Sequence, residues 1–224
     1  MTDQNLNELH QKVQNLALEY QKKEDFTGWF EVIYTEASGN NEQVPWAKMN
    51  PHPALEKWLE TVDVTNKHAL VIGCGLGDDS EKLSQQKAIT TAFDIAPSAI
   101  EWCKKRFPDS SVNYLVADLL DLDAAWNNSF DLIFESKTIQ ALPITIREQV
   151  IAGIATLIKP GGTLLIMTRL RETESHPDGP PWAVSEEELS QFKQFGYQEI
   201  TRTPYVDNNN PSIKQALIEY QRIH

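Results

Sequence analysis

The sequence predicts an α/β fold: a seven-stranded, mostly parallel sheet with helices on both faces, an antiparallel last strand and an amino-terminal helical lid. Three observations carry this. From Lys67 onward, short apolar runs alternate with helical stretches, the pattern of parallel strands joined by right-handed crossovers. The first run stops at glycines that open a helix. The last two strand-like runs are joined only by the loop DNNNPS, which favours an antiparallel pair at the sheet edge.

The elements follow in chain order. Leu6, Leu9, Val13, Leu16 and Tyr20 recur at three- and four-residue steps, an amphipathic helix ending before Gly28. Residues 26–53 are aromatic and rich in Gly, Asn and Pro, and read as an irregular covering segment. Helical character resumes over Ala54–Val62. Then come the runs HALVIG, ITTAFDI, VNYLVAD, FDLIFES and GGTLLIMTR, with helices over Asp79–Gln86, Ser98–Phe107 and Arg147–Ile158. A helix over EEELSQFKQF leads into the strands Tyr197–Pro204 and Lys214–Arg222. The 224 residues are expected to form one domain, with 1–62 as helix and lid and 63–224 as core.

Composition narrows the partners. Lys and Arg number 20 against 32 Asp and Glu, a formal charge of −12. Nucleic-acid and anionic-membrane binding need clustered cations, so a small molecule is the expected partner, and a monomer or weak homo-oligomer the expected state. Two cysteines, Cys74 and Cys103, exclude a disulfide scaffold and a four-cysteine zinc site; no metal is expected. The start MTDQNLNELHQ has no basic region followed by an apolar run, so a cytoplasmic location is expected.

The sharpest motif is Gly73-Cys74-Gly75-Leu76-Gly77-Asp78-Asp79. Glycines let the chain turn sharply and let a ligand approach the backbone. The third glycine comes one residue earlier than in a dinucleotide site, and two carboxylates stand at the helix N-terminus where a pyrophosphate would sit. A ligand without phosphate suits this loop. Asp94-Ile95 lies 21 residues after Gly73, where a carboxylate accepts hydrogen bonds from ribose hydroxyls or caps the helix starting near Pro97. Asp118-Leu119 ends the third run: the carboxylate suits an adenine amino group and Leu119 its flat face, or Asp118 bonds its own loop backbone. A nucleoside with a polar tail near the glycines describes S-adenosylmethionine.

At these residues the chain resembles the class I S-adenosylmethionine-dependent methyltransferases, over about residues 67–200. The motifs are LVIGCGLG, FDIAPSAIEWCKKRFP, VADLLDL, FDLIFES and IKPGGTLLIM. Val71 replaces that family's usual carboxylate, and the string LVIGCGLGD is similar to the thiopurine and thiol/halide branch. VPW with NPHPALEKWL, GPPW with Ser185, Glu188 and Leu189, and the spacing from Phe134-Glu135 to Ala141-Leu142 are similar to the same branch. Ala47 and the stretch Ser136-Lys137-Thr138 depart from it. The resemblance implies a Rossmann-like core, with Gly73, Cys74, Gly75 and Gly77 under the methionine part, Asp94 on the ribose, Asp118 on the adenine and Trp46 closing over the cofactor. It implies methyl transfer to a small thiol, thiopurine or halide. An oxygen or nitrogen acceptor is the alternative, and a non-catalytic cofactor-binding regulator is another.

Methyl transfer from a sulfonium needs alignment and exclusion of water; a base is needed only for a neutral acceptor. Glu135 ends the fourth run, where it would meet the methionine amino group or the acceptor, or cap a helix. His176 and His52 are loop histidines that would act as bases or be solvated. Lys137, Arg169 and Arg171 would make a positive site for an anionic acceptor, unless the arginines pair with Glu172 and Glu174. Trp29, Trp46 and Trp182 would pack on the acceptor or simply join lid to core. Cys103 falls on an amphipathic helix and reads as core.

Overall fold

The structure, a computed structural model, describes residues 3–175, 177, 179–206 and 212–223. Its helices are α1 (Asp3–Gln21), α2 (Gly28–Ala37), α3 (Pro53–Leu59), α4 (Asp78–Gln85), α5 (Pro97–Arg106), α6 (Arg147–Leu157) and α7 (Glu186–Gln194). Its strands are β1 (His68–Ile72), β2 (Ile89–Asp94), β3 (Asn113–Val116), β4 (Phe130–Ser136), β5 (Ile158–Arg171), β6 (Val184–Ser185), β7 (Tyr197–Tyr205) and β8 (Gln215–Arg222). Among the described residues no helix is long and apolar enough to cross a membrane.

The sheet runs β3-β2-β1-β4-β5-β8-β7. Strands β1 to β5 pair in parallel. The order reverses between β1 and β4, and ligands of open α/β sheets bind at the carboxyl ends of the strands at such a switch. The last two strands form an antiparallel pair at the sheet edge, as expected, with β7 outermost and β8 inside it. Strand β8 inserts between β5 and β7 and runs antiparallel to both. The burial patterns explain the choice: Gln215–Ile218 is continuously buried, whereas β7 is mostly exposed. The two-residue β6 beside the end of β5 was not foreseen; the Arg171 side chain ties that end of β5 to Ala183 O at 2.8 Å.

Alternation along β1 assigns the faces. Leu70 and Ile72 pack with Val150, Ile151 and Ile154 of α6 and Leu189 and Phe192 of α7. Ala69 and Val71 face Leu55 and Leu59 of α3, Leu83 of α4 and Ile100 and Cys103 of α5. Each fully buried Leu or Ile contributes roughly 1.5–3 kcal/mol. Three helix starts have local causes: proline at the first turn of α3 and of α5, and a Ser185–Glu188 capping box on α7.

The segment 26–53 is not wholly irregular, since it contains α2. Its sequence WFEVIYT is aromatic and β-branched, with weak intrinsic helix propensity. Tertiary burial overrides that: Trp29, Ile33, Tyr34 and Ala37 form one buried stripe. The Thr27 and Gly28 N–H groups donate to Asp25 Oδ1 at 3.1 and 2.7 Å, which holds the start. With Val13 and Ala17 of α1, this stripe packs on Leu76, Ala96, Ala99 and Trp182. The amino-terminal cover thus sits on the glycine loop.

Candidate cofactor and acceptor site

The loop after β1 takes left-handed backbone at Gly73, Gly75 and Gly77, with φ of 60°, 54° and 90°. A Cβ on Gly73 would lie 2.3 Å from Thr138 Oγ1, and one on Gly77 2.5 Å from Tyr114 Oη. Both glycines are therefore required by close approach as well as by dihedral. The Cys103 thiol donates to Gly75 O at 3.2 Å, which ties the loop to α5. Cys74 sits half-buried in the turn, and its hydrogen bonding with the Cys103 thiol, then burial, raises its thiol pKa.

The two carboxylates at the start of α4 divide their work. Arg106 grips Asp78 in bidentate fashion at 2.7 and 2.9 Å. Asp79 Oδ1 accepts the His52 N–H at 2.7 Å, anchoring the covering segment, and burial pushes its carboxyl up to about 6. Asp94 is 7% exposed. Its Oδ2 accepts the Gly75 N–H at 2.9 Å and its Oδ1 the Ala96 N–H at 3.0 Å. Burial pushes its carboxyl up to about 6 as well. The N-cap of α5 is Ala96, so Asp94 braces the turn before that helix without being its cap. Ile95 beside it is half-buried.

Over this loop lies a residue the sequence reading missed. Tyr34 is 3% exposed; its hydroxyl accepts the Trp46 Nε1–H at 2.8 Å and stands 3.3 Å from where a Gly75 Cβ would be. Burial, then the Asp94 charge, raises the Tyr34 pKa. Its signal was the helical stripe of α2, invisible while that stretch read as irregular. Trp46 meets Trp29, Phe30 and Tyr34 edge-on at 5.8–6.0 Å between ring centres. Trp29 and Trp182 are buried, at 2% and 5%, in the same cluster, so the surfaces they show here join the cover to the core. Asp118 lies two residues beyond β3 and Oδ1 accepts the Leu120 N–H at 2.8 Å. Leu119 packs into the core beside Phe93.

The second wall forms where β4 and β5 end. Glu135 is fully buried. Its Oε1 accepts the N–H groups of Thr138 and, at 2.9 Å, Ile139, so it does hold the following 3-10 turn. Its Oε2 has no hydrogen-bond partner, and burial pushes the carboxyl up to about 7. Lys137, at φ 67°, donates its N–H to Met167 O at 2.9 Å, and its charge reaches Asp79. Gln140 joins two predicted acceptor residues. Its Oε1 accepts the Arg169 N–H at 2.6 Å, and its backbone O accepts the Trp182 N–H at 2.7 Å.

Arg147, 1% exposed, donates from Nη2 to Leu142 O and Trp182 O, both at 3.0 Å. Arg171 does not pair with the Glu172 or Glu174 carboxylates. It meets Glu188 at 3.0 Å and the carbonyls of Glu172, Thr173 and Ser175, while Glu172 pairs with Lys214. His52 caps α3 through Nδ1 and rests 4.8 Å from the Tyr205 ring. His176 lies outside the described residues.

The sequence profile of the thiopurine S-methyltransferase family matches residues 36–223, from the cover to the last strand. The chain belongs to this family. It is 30% identical over 169 residues to the probable thiol methyltransferase 2 of Arabidopsis thaliana, covering 73% of this chain and 72% of that one. It is 32% identical over 128 residues to a ubiquinone biosynthesis O-methyltransferase of Xanthomonas campestris pv. campestris, covering 56% of this chain and 52% of that one. Among solved structures, the N-methyltransferase NodS from Bradyrhizobium japonicum, in complex with S-adenosylhomocysteine, superposes with a TM-score of 0.65 at 21% identity, covering 80% of this chain and 92% of that one. A structure concerned with conversion of a disulfide bond into a thioacetal group during echinomycin biosynthesis superposes at 0.69 and 19%, covering 88% and 91%. At these identities the structural likeness is one of fold, and it bears out the Rossmann-like core.

This family member is an S-adenosylmethionine-dependent methyltransferase of small molecules. Its residues fit the cofactor. Three left-handed glycines leave backbone open to close approach, the Asp94 carboxylate is anchored on the same turn, and the orphaned Oε2 of Glu135 offers a buried acceptor to a cation.

Proposed function

We propose that the enzyme methylates the sulfur of a small thiol-type acceptor. The carrying observation is the family match over residues 36–223, which spans the covering segment, the glycine loop and the strand exits together. The likeness to a thiol methyltransferase supports it. S-adenosylmethionine, when bound, supplies a methyl group activated by a positively charged sulfur. In this reading Gly73, Gly75 and Gly77 seat its methionine part, Asp94 and Ile95 hold the ribose, and Asp118 and Leu119 the adenine. Trp46, fastened to Tyr34, shuts out water. Lys137 and Arg169 draw an anionic acceptor to the strand exits, and a thiolate needs no base once aligned. Trp29 and Trp182 shape the wall on which it rests. We take the whole chain to work as one domain, with residues 1–62 as its lid, in the cytoplasm.

A second reading has its own observation. Glu135, with its carboxyl near 7 and one oxygen unpartnered, would take the proton from a neutral hydroxyl acceptor, and one relative is named as an O-methyltransferase. Product analysis after incubation with S-adenosylmethionine and a mixed panel of benzenethiol, hydrogen sulfide and phenol decides between them. S-methylated products, thioanisole from benzenethiol and methanethiol from hydrogen sulfide, are expected; phenol turnover with inert thiols would reverse the assignment.

A further inference from the structure

Gln215 opens β8 and is 4% exposed, yet neither its amide nitrogen nor its amide oxygen has a hydrogen-bond partner. Leaving a buried polar group unpaired costs roughly 1–3 kcal/mol, so this side chain stands against a stability cost that a leucine or methionine would avoid. Its place in the sheet is fixed. Gln215 lies directly opposite Arg169 on β5 and Tyr205 on β7, and directly opposed residues project to the same face. The residues two and four further along β8 show which face. Leu217 packs with Leu55 and Leu59 of α3, and Glu219 accepts the Trp58 Nε1–H at 3.0 Å. The Gln215 amide therefore stands at the carboxyl end of β5 on the α3 side. Above it passes the chain entering α3, where the His52 ring rests on Tyr205 and the His52 N–H is held by Asp79 at the start of α4. That is the ground between the glycine-loop helix and the exit of β5, where open α/β sheets hold their ligands.

We propose that Gln215 selects the acceptor by pairing with an amide-like edge, adjacent N–H and C=O groups as in a carboxamide or lactam, on the molecule to be methylated. Arg169 and Tyr205 flank that contact. The proposal rests on the methyltransferase reading above. The chemistry follows from the two orphaned atoms, one a donor group and one an acceptor. A carboxylate would satisfy the donor and repel the oxygen, a ketone would satisfy the donor alone, and a hydrocarbon would satisfy neither. A group presenting both satisfies both, whichever way the amide is turned. Sites built to hydrogen-bond a ligand discriminate sharply against analogues that leave buried groups unpaired.

The test uses the full chain saturated with S-adenosylhomocysteine and three probes of similar size: benzamide, acetophenone and benzoate. Calorimetry on the wild type should rank benzamide roughly tenfold above the other two. Gln215→Met should abolish that preference, leave S-adenosylhomocysteine affinity unchanged and raise Tm, because two unpaired polar atoms are gone. Equal binding of the three probes, benzoate binding tightest, or a benzamide preference that survives Gln215→Met would each overturn the inference alone. Failure to bind S-adenosylhomocysteine would instead overturn the methyltransferase reading and this inference together.

Discussion

The two halves of the sheet treat their polar groups differently. In the β1–β3 half, polar groups are met from within the chain. Asp94 takes two backbone N–H groups, Asp78 takes both arms of Arg106, and the Tyr114 hydroxyl donates to Glu81 at 2.7 Å. Ser80 Oγ is the exception there among the described residues. The half built on β4, β5 and β8 buries Glu135 Oε2, Arg147 Nε and Nη1, Glu188 Oε1 and the whole Gln215 amide without hydrogen-bond partners. Buried polar atoms are normally paired; Arg147 Nη1 and Glu188 Oε1 face each other at 3.7 Å, so the contrast separates a seat that the backbone completes by itself from a wall where Glu135 Oε2 and the Gln215 amide lack a hydrogen-bond partner within the chain. In the function proposed above, the first would hold the cofactor and the second would choose the acceptor.

Three substitutions press on that contrast, the largest effect first. Arg147→Met removes the donor to two carbonyls and the 3.7 Å contact with Glu188. Urea unfolding should show a loss of about 3–5 kcal/mol, with S-adenosylhomocysteine affinity nearly kept. A loss below about 1 kcal/mol would mean that the orphaned guanidinium atoms offset what the bonds contribute.

Glu135→Gln reads the same wall by pH. The Glu135 carboxyl lies near 7 in the fold, raised by burial, against an ordinary value near 4.3. The folded chain therefore holds a proton that the unfolded chain releases in this window, and wild-type stability falls as pH rises from about 4.5 to 7. Measured from pH 5 to pH 8, the wild type should lose on the order of 3 kcal/mol relative to Glu135→Gln. Asp79 and Asp94, also raised by burial, drift the same way in both proteins and cancel in the difference. Parallel pH profiles would place the Glu135 carboxyl back at its ordinary value.

Gly77→Ala tests the other half. It meets Tyr114 Oη and an unfavourable φ of 90°, so a cost of roughly 1–3 kcal/mol is expected, with cofactor affinity down at least about tenfold. Gly161→Ala is the control, because φ is 81° there and nothing lies within 4 Å of the added Cβ. Equal cofactor loss in both would assign the effect to strain alone.

This division also decided what could be read beforehand. The glycine loop, Asp94 and the strand–helix alternation were legible because backbone geometry dictates the residue types that serve it. The helix α2 was hidden by its aromatic and β-branched composition, and with it Tyr34. The insertion of β8 between β5 and β7 follows from continuous burial, which a short loop alone does not reveal. Gln140, Arg147 and Gln215 carry no motif; only register and burial bring them to the strand exits. Arg171 was read as part of a positive site, with pairing to Glu172 or Glu174 as the alternative, whereas the fold delivers Glu188 from a capping box 17 residues away.

The central claim is that the glycine loop and Asp94 seat S-adenosylmethionine. Calorimetric titration with S-adenosylhomocysteine tests it directly. The account predicts saturable one-to-one binding by the wild type, weakened at least about tenfold in Asp94→Ala. No binding heat at millimolar ligand, or equal affinity in the two proteins, would contradict it.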